Sequence, residues 1–255
     1  MSRRQGGRGE EDAVGGRRAA AEAVRAGQAQ ELLVARGARG SQGLRAVLEA
    51  ARAAGVPVRE VDRTELDRMA PDPQGVVAVV STASPAALGE RELAGFPFSD
   101  DAVVVVLDGI TDPQNLGAAA RSAEAAGAAV LVSRVHRAAG VTPAAIRASA
   151  GALLHMPHAR VANIPRAIQR LQDAGFFVVG LADEAEHDVY AEPCPAGRVA
   201  VVVGSEGEGL ARLTRERCDA LVRLPMHGRV GSLNASASLA AALYAFVLPR
   251  RVGGS

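Results

Sequence analysis

The sequence contains no lysine and no tryptophan, and all 29 of its basic side chains are arginine. Aromatic residues make up only 3%. Cysteine is limited to Cys194 and Cys218, which make neither a metal-ligand spacing nor a disulfide framework and suit a reducing compartment. The five histidines are scattered, without the paired spacing of a ligand set, so no metal is expected. No apolar run approaches the ~20 residues that a membrane span needs. The first residues, MSRRQGGRGEEDAVGGRR, lack the apolar segment of a secretory signal. No membrane partner is expected, and the location expected is cytoplasmic.

What remains is a chain of 255 residues, 48% hydrophobic, with room for one large domain or two modest ones. The net charge of +1 does not announce nucleic acid, but its distribution is uneven. Residues 1–60 hold 11 Arg against 7 acids, whereas 181–198 hold 5 acids and 1 Arg. The missing lysine reads first as the mark of a GC-rich genome. Arginine forks nonetheless suit phosphate and can stack on bases.

Periodicity divides the chain. Residues 1–13 read as a disordered basic tail. A compact α/β unit follows over 14–82, with a helix at 16–26, strands at Glu31–Arg36, Val56–Val61 and Gly75–Ser81, and a helix capped by Ser41 and ended by Gly55. Residues 83–100 carry Pro, Gly and charge without period and are expected to be a linker. The second unit, 101–255, opens with the apolar run Ala102–Ile110, typical of a strand buried on both faces. Alternating helices and strands follow: a helix over Ala118–Ala126, others opening at Thr142-Pro143 and at Asn163, and a final long helix. That alternation predicts an α/β fold with a parallel sheet covered on both faces.

Three strand–loop–helix junctions carry the chemistry: DGITDPQNLGAAARSAEAAG (108–127), VVVGSEGEGL (201–210) and LPMHGRVGSLNASASLAAALYAF (224–246). Glycine lets a loop press its backbone on a ligand, and a helix start offers unpaired N–H groups with partial positive charge. In open α/β sheets ligands bind beyond the carboxyl ends of the strands, so three such junctions predict one composite site. The order of the glycines, after a late strand, is wrong for a dinucleotide fold.

In order and spacing the three motifs resemble the SpoU family of RNA ribose 2′-O-methyltransferases, nearest its bacterial members acting on a guanosine of large-subunit ribosomal RNA. The likeness covers about 102–248 strongly and 14–82, as the family's small RNA-binding domain, more loosely. It implies an α/β knot of the SPOUT type, trefoil-knotted, with S-adenosylmethionine in the knotted crevice and a homodimer. Topological rules alone argue against a knot.

The resemblance also implies residue roles. Arg121 matches the arginine proposed to activate the hydroxyl. Because Arg holds its proton to pKa values above ~12, binding the adjacent phosphate and stabilising the alkoxide stands as the alternative. Asn115 is placed before the helix, where it could equally cap it, and Glu206 would organise the crevice. Ser232 and Asn234 match positions that contact the methionine end of the donor or orient the acceptor. Gly204, Leu224 and Leu233 match the grip on the adenosyl part, with Ser205, Gly209 and Met226 as neighbours. Ser236 and Ser238 read as packing or back-bonding residues. For RNA, the densest basic cluster of the first unit is Arg17, Arg18, Arg25, Arg36 and Arg39. The expected substrate is 23S ribosomal RNA. Alternatives are tRNA, a resistance-conferring ribosomal adenosine, or a non-catalytic ribosome-assembly factor.

Overall fold

The computed structural model describes residues 13–38, 41–80, 87–191, 193–229 and 231–249, in two compact units. The expected tail therefore lies outside the described residues, apart from Ala13. In chain order the first unit runs β1 (Ala13–Gly15), α1 (Arg17–Arg25), β2 (Ala29–Ala35), α2 (Gln42–Ala53), β3 (Val58–Val61), α3 (Arg63–Met69) and β4 (Val76–Val80). The second begins with β5 (Ala87–Leu88), α4 (Glu90–Ala94), β6 (Val103–Asp108), α5 (Pro113–Ala125) and β7 (Val130–Arg134). The chain then supplies α6 (Pro143–Ala148) and a 3-10 turn, Ala152–Leu154, to the first unit. It resumes the second with β8 (His158–Val161), α7 (Ile164–Asp173), β9 (Phe177–Leu181), β10 (His187–Asp188), β11 (Val199–Gly204), α8 (Arg212–Arg217) and β12 (Ala220–Arg223). It ends in α9 (Ala235–Ala242), prolonged as a π-helical turn, Leu243–Val247.

The first unit is a four-stranded sheet in the order β1-β4-β2-β3, with β2 and β3 parallel and β4 antiparallel to both β1 and β2. Its main core joins the alanine face of α1, Leu44 and Val47 of α2, and Val76 and Ala78 of β4. Ile146 of α6 and Leu154 are buried in the same cluster. This corrects the continuous second unit, 101–255, expected from the sequence. Helix-capping signals at Thr142 and Pro143 announce a helix, but not which core its apolar face will enter.

The second unit is an eight-stranded sheet of parallel pairs, in the order β10-β12-β9-β11-β6-β7-β8-β5. β6 and β11, the valine-rich strands at its centre, are buried along their whole length, as expected of strands covered on both faces. Leu93 of α4 and Ile164, Ile168 and Leu171 of α7 pack on one face. On the sheet α9 packs against β11, and it also packs against α5.

One further expectation is corrected here. The described part of the expected linker, 87–100, is folded: β5 forms the sheet edge beside β8, and Phe98 sits between Phe96 and Phe176 at centroid distances of 4.9 and 4.8 Å. Arg198 fastens this stretch by donating to the carbonyls of Phe98 and Ser99, and also to that of Ala174. Glu90 at the start of α4 accepts from the backbone N–H of Ala162 and from Arg166, at 2.7–2.9 Å. These partners are distant in sequence, so local period could not announce them. Strand β8, HARV, was missed for a related reason: its polar letters hide a buried position. His158 shares a 2.8 Å hydrogen bond with Ser133 of β7 and is pushed down to about 4 by burial, with the charge of Arg160 adding to the effect.

Candidate active site

The sheet order reverses between β6 and β11. From β6 the strands proceed to β7 and β8 on one side; on the other lie β11, β9 and β12. Such a switch point opens a crevice beyond the carboxyl ends of the strands. In register, Gly204 at the end of β11 faces Asp108 at the end of β6. The buried Asp108 carboxylate accepts the N–H of Ala211 at 3.0 Å, which closes the glycine loop back over the strand ends. Within that loop Ser205 and Gly209 exchange backbone hydrogen bonds of 3.1 and 3.0 Å. Gly207 and Gly209 hold φ of 81° and 66°, where side chains are strained. At Gly204 a Cβ would overlap the backbone of Gly209 and Leu210, so the loop closes only on glycine.

The crevice, of about 170 Å³, is lined by that loop, by Leu181 at the end of β9 and Ala182 to Glu184 after it, by Leu224 after β12, and by Ser232, Leu233 and Ser238. Four carboxylates line it, Asp183, Glu184, Glu206 and Glu208, against one cation, Arg215, which is ion-paired with Glu184. Apolar surface comes from Leu181, Leu224 and Leu233, the last 43% exposed.

Beside the crevice lies a polar cluster. Asn115 Nδ2 donates to Glu206 Oε1 at 3.0 Å. The Ser236 hydroxyl lies 3.4 Å from Asn115 Oδ1 and 3.2 Å from Asn234 Oδ1. Asn234 caps α9 by accepting the N–H of Ala237 at 2.8 Å. The cluster thus draws one residue or more from each of the three motifs.

Of the residues expected in the site, Gly204, Ser205, Glu206, Gly209, Leu224, Ser232 and Leu233 line the crevice, and Asn115 and Asn234 stand beside it. Met226 lines an adjoining cavity that shares Leu224 and Asp183. Arg121 is exposed on α5, a turn and a half beyond Asn115, and enters none of the cluster's hydrogen bonds. Asn115 is corrected from a cap to a residue inside the first turn: the cap is Asp112, whose carboxylate accepts the N–H of Gln114 with Pro113 at the first helical position. Ser236 is corrected from a packing or back-bonding residue to the link of the polar cluster, and Ser238, read in the same way, lines the crevice. The Ser236 hydroxyl donates to the Asn234 side chain, while the backbone N–H that Asn234 caps is that of Ala237, so no capping rule announces Ser236. Sequence reasoning also missed Asp108 and Asp183. Among the described residues, no group of three or more His, Cys, Asp or Glu is placed to hold a metal ion, and no helix is long and apolar enough to cross a membrane.

Of the arginines expected to meet RNA, Arg17 and Arg36 line one concavity of the first unit. Arg25 is ion-paired with Glu22, and neither it nor the exposed Arg18 joins that concavity. Arg39 lies outside the described residues.

Comparison with known proteins places this geometry. The family model for the SpoU rRNA Methylase family matches residues 102–244, and that for RNA 2′-O ribose methyltransferase substrate binding matches residues 13–86. The chain is 41% identical over 201 residues to the 23S rRNA (guanosine-2′-O-)-methyltransferase RlmB of Photobacterium profundum, covering 78% of this chain and 81% of the relative. It is 40% identical over 214 residues to the enzyme of that name from Coxiella burnetii, covering 81% and 82%. Among solved structures, the SpoU methyltransferase AviRb of Streptomyces viridochromogenes, in complex with AdoMet, superposes with a TM-score of 0.76 at 30% identity over 99% of this chain and 95% of that one. With one model spanning more than half of its length and both units accounted for, the chain belongs to the SpoU rRNA methylase family.

Proposed function

We propose that this protein transfers a methyl group from S-adenosylmethionine to the ribose 2′-hydroxyl of a guanosine in 23S ribosomal RNA. The observation that carries the reading is the meeting of three separate motifs at one switch point, with Asn115 bonded to Glu206 across the crevice edge. The chemistry of the crevice fits the donor. Its excess of carboxylates suits a ligand bearing a sulfonium and an ammonium, while Leu181, Leu224 and Leu233 offer apolar surface to a purine. Gly204, Ser205, Gly209, Leu224 and Leu233 would hold the adenosyl part, with Met226 nearby, and Ser232 and Asn234 the methionine end.

When bound, the donor supplies an electrophilic methyl group. The chain must align a ribose hydroxyl with it and stabilise the oxygen as its proton leaves, and alignment alone contributes much of the acceleration. Glu206 fixes Asn115, and Ser236 ties that pair to the start of α9, so the acceptor side of the crevice is held by side chains that brace one another. Arg121 is assigned the neighbouring phosphate and the developing alkoxide on the family match; a guanidinium that stays charged suits this better than proton abstraction. The first unit would carry the RNA. A homodimer is part of the reading on the family resemblance. A knotted path is part of the reading, supported by the place of Leu224, Ser232 and Leu233 beside the glycine loop and by the packing of α9 on α5 and β11. Ribosomal RNA as target carries with it a cytoplasmic location.

The test is transfer of labelled methyl from S-adenosylmethionine to total RNA from a strain lacking this gene, followed by nucleoside analysis. Label in 2′-O-methylguanosine of 23S RNA is expected. Label confined to tRNA or to adenosine would move the target, and RNA binding without label would leave an assembly factor.

A further inference from the structure

The first unit has a concavity of about 600 Å³ at one edge of its sheet. β2 ends there at Ala35, in register with Val61 at the end of its parallel neighbour β3. β4 starts there, with Val76 beside Val34, and β1 ends there, with Gly15 beside Val77. Each of the three strands that ends at this edge is followed within two residues by an arginine of the lining: Arg17 after β1, Arg36 after β2 and Arg63 after β3. Arg63 was not among the residues expected from sequence, because its neighbours Asp62 and Glu65 mask it in any count of local charge.

The edge is built as well as charged. The turn before β4 holds two non-glycine residues in left-handed conformation, Asp72 at φ 48° and Gln74 at φ 49°. Such strain persists where the surroundings enforce it. Here Gln74 donates to Asp72 at 3.1 Å, and Arg17 Nε donates to the Gln74 carbonyl at 3.2 Å, so the strained turn fixes the first arginine. Arg36 reaches Asp62 at 3.4 Å, an exposed pair that a phosphate can displace. Helices α1 and α2 also begin at this edge, and neither has an acidic residue in its first turn to offset the positive end of its dipole. No aromatic side chain is among those lining the concavity.

We propose that this edge is a subsite for single-stranded RNA, in which Arg36 and Arg63 hold backbone phosphates and the concavity takes one unstacked base against the guanidinium planes. The inference rests on the reading of the chain as an RNA methyltransferase. A volume of this order suits a nucleotide-sized group, within the ~300–1,000 Å³ of small-ligand pockets. Sequence-specific RNA recognition takes bases that are free of a stack, and arginine planes can receive them where aromatics are lacking. A duplex offers no free base to a hollow of this kind.

The experiment uses the full chain and a fluorescent single-stranded RNA of mixed sequence, read by anisotropy across a salt series. The double variant Arg36→Ala/Arg63→Ala is expected to bind about tenfold or more weakly, and its log–log salt slope to fall by roughly 1.4, the share of two single-strand phosphates. Its affinity for S-adenosylmethionine, bound in the other unit, is expected to stay unchanged, and an unchanged thermal unfolding profile reports that the first unit is folded. The control Arg52→Ala/Arg68→Ala, of equal charge loss at two exposed residues of the same unit that do not line the concavity, is expected to bind RNA within about twofold of the parent. Equal weakening by both double variants, or by neither, overturns the subsite. So does displacement of the RNA by micromolar nucleoside monophosphate, which would mark a free-nucleotide site, or equally tight binding of a blunt duplex. Absence of RNA binding by the parent protein would instead overturn the functional reading on which the subsite stands.

Discussion

Asn115 and Glu206 lie 91 residues apart in sequence and meet at 3.0 Å, amide to carboxylate. Each belongs to a different motif, and neither has a reason to approach the other except through the closing of the loop after β11 onto the end of β6. The bond is solvent-exposed, so its loss costs about 0.5–1.5 kcal/mol. Asn115→Ala and Glu206→Ala are each expected to slow methyl transfer by about two- to tenfold. In a double-mutant cycle on kcat, the double variant is expected to lose far less than the product of the two. Strict additivity would show that the two side chains act apart.

The glycine loop can be probed where it is tightest. In Gly204→Ala the new Cβ overlaps the backbone of Gly209 and Leu210, and backbone cannot swing aside as a side chain tip can. Overpacking of this kind costs about 1–3 kcal/mol. A lower melting temperature together with at least tenfold weaker binding of S-adenosylmethionine is expected from calorimetry and titration. Unchanged donor affinity would remove the loop from the binding site.

His158 predicts an acid-sensitive fold. Its pKa is lowered from 6.5 to about 4, so the unfolded chain takes up the proton first. Stability is full above pH 6.5 and declines as pH falls from there towards 4, by on the order of 3 kcal/mol across the window. In His158→Gln, urea unfolding between pH 7 and pH 4.5 should lose this slope. An unaltered slope would assign the acid sensitivity to other groups.

Glu90 works in the opposite sense. The Arg166 side chain, more than any other neighbour, holds its carboxyl below the usual value of 4.5. The stability it contributes is present at neutral pH and is lost as pH falls through and below that value. Glu90→Gln keeps the shape and removes the charge, and should cost about 1 kcal/mol at pH 7, a penalty that shrinks in acid. A penalty independent of pH would point to shape, with the charge playing no part.

The sequence carried the site further than it carried the fold's edges. The valine runs of β6 and β11 and the glycine loop between Gly204 and Gly209 are local patterns, each with one physical cause, and they were legible. Asn115 was misplaced because Pro113 and Asp112 start α5 earlier than its alanine-rich period suggests. Ser236 and Arg63 were passed over because their importance comes from what other segments bring to them. The buried His158 and the folded stretch at 87–100 depend on Ser133, Phe176 and Arg198, all distant in sequence.

The burial of Ile146 and Leu154 among α1, α2 and β4 bears on synthesis. The chain passes between its two units three times, so no single cut parts them. As the polypeptide emerges from the ribosome, the four strands of the first sheet are complete by Val80, yet their core lacks two of its members for some seventy residues more. A fragment ending at residue 86, the boundary the family model suggests, would present that gap to solvent. The nascent first unit therefore waits for β5, β6 and β7 to be made before it can close.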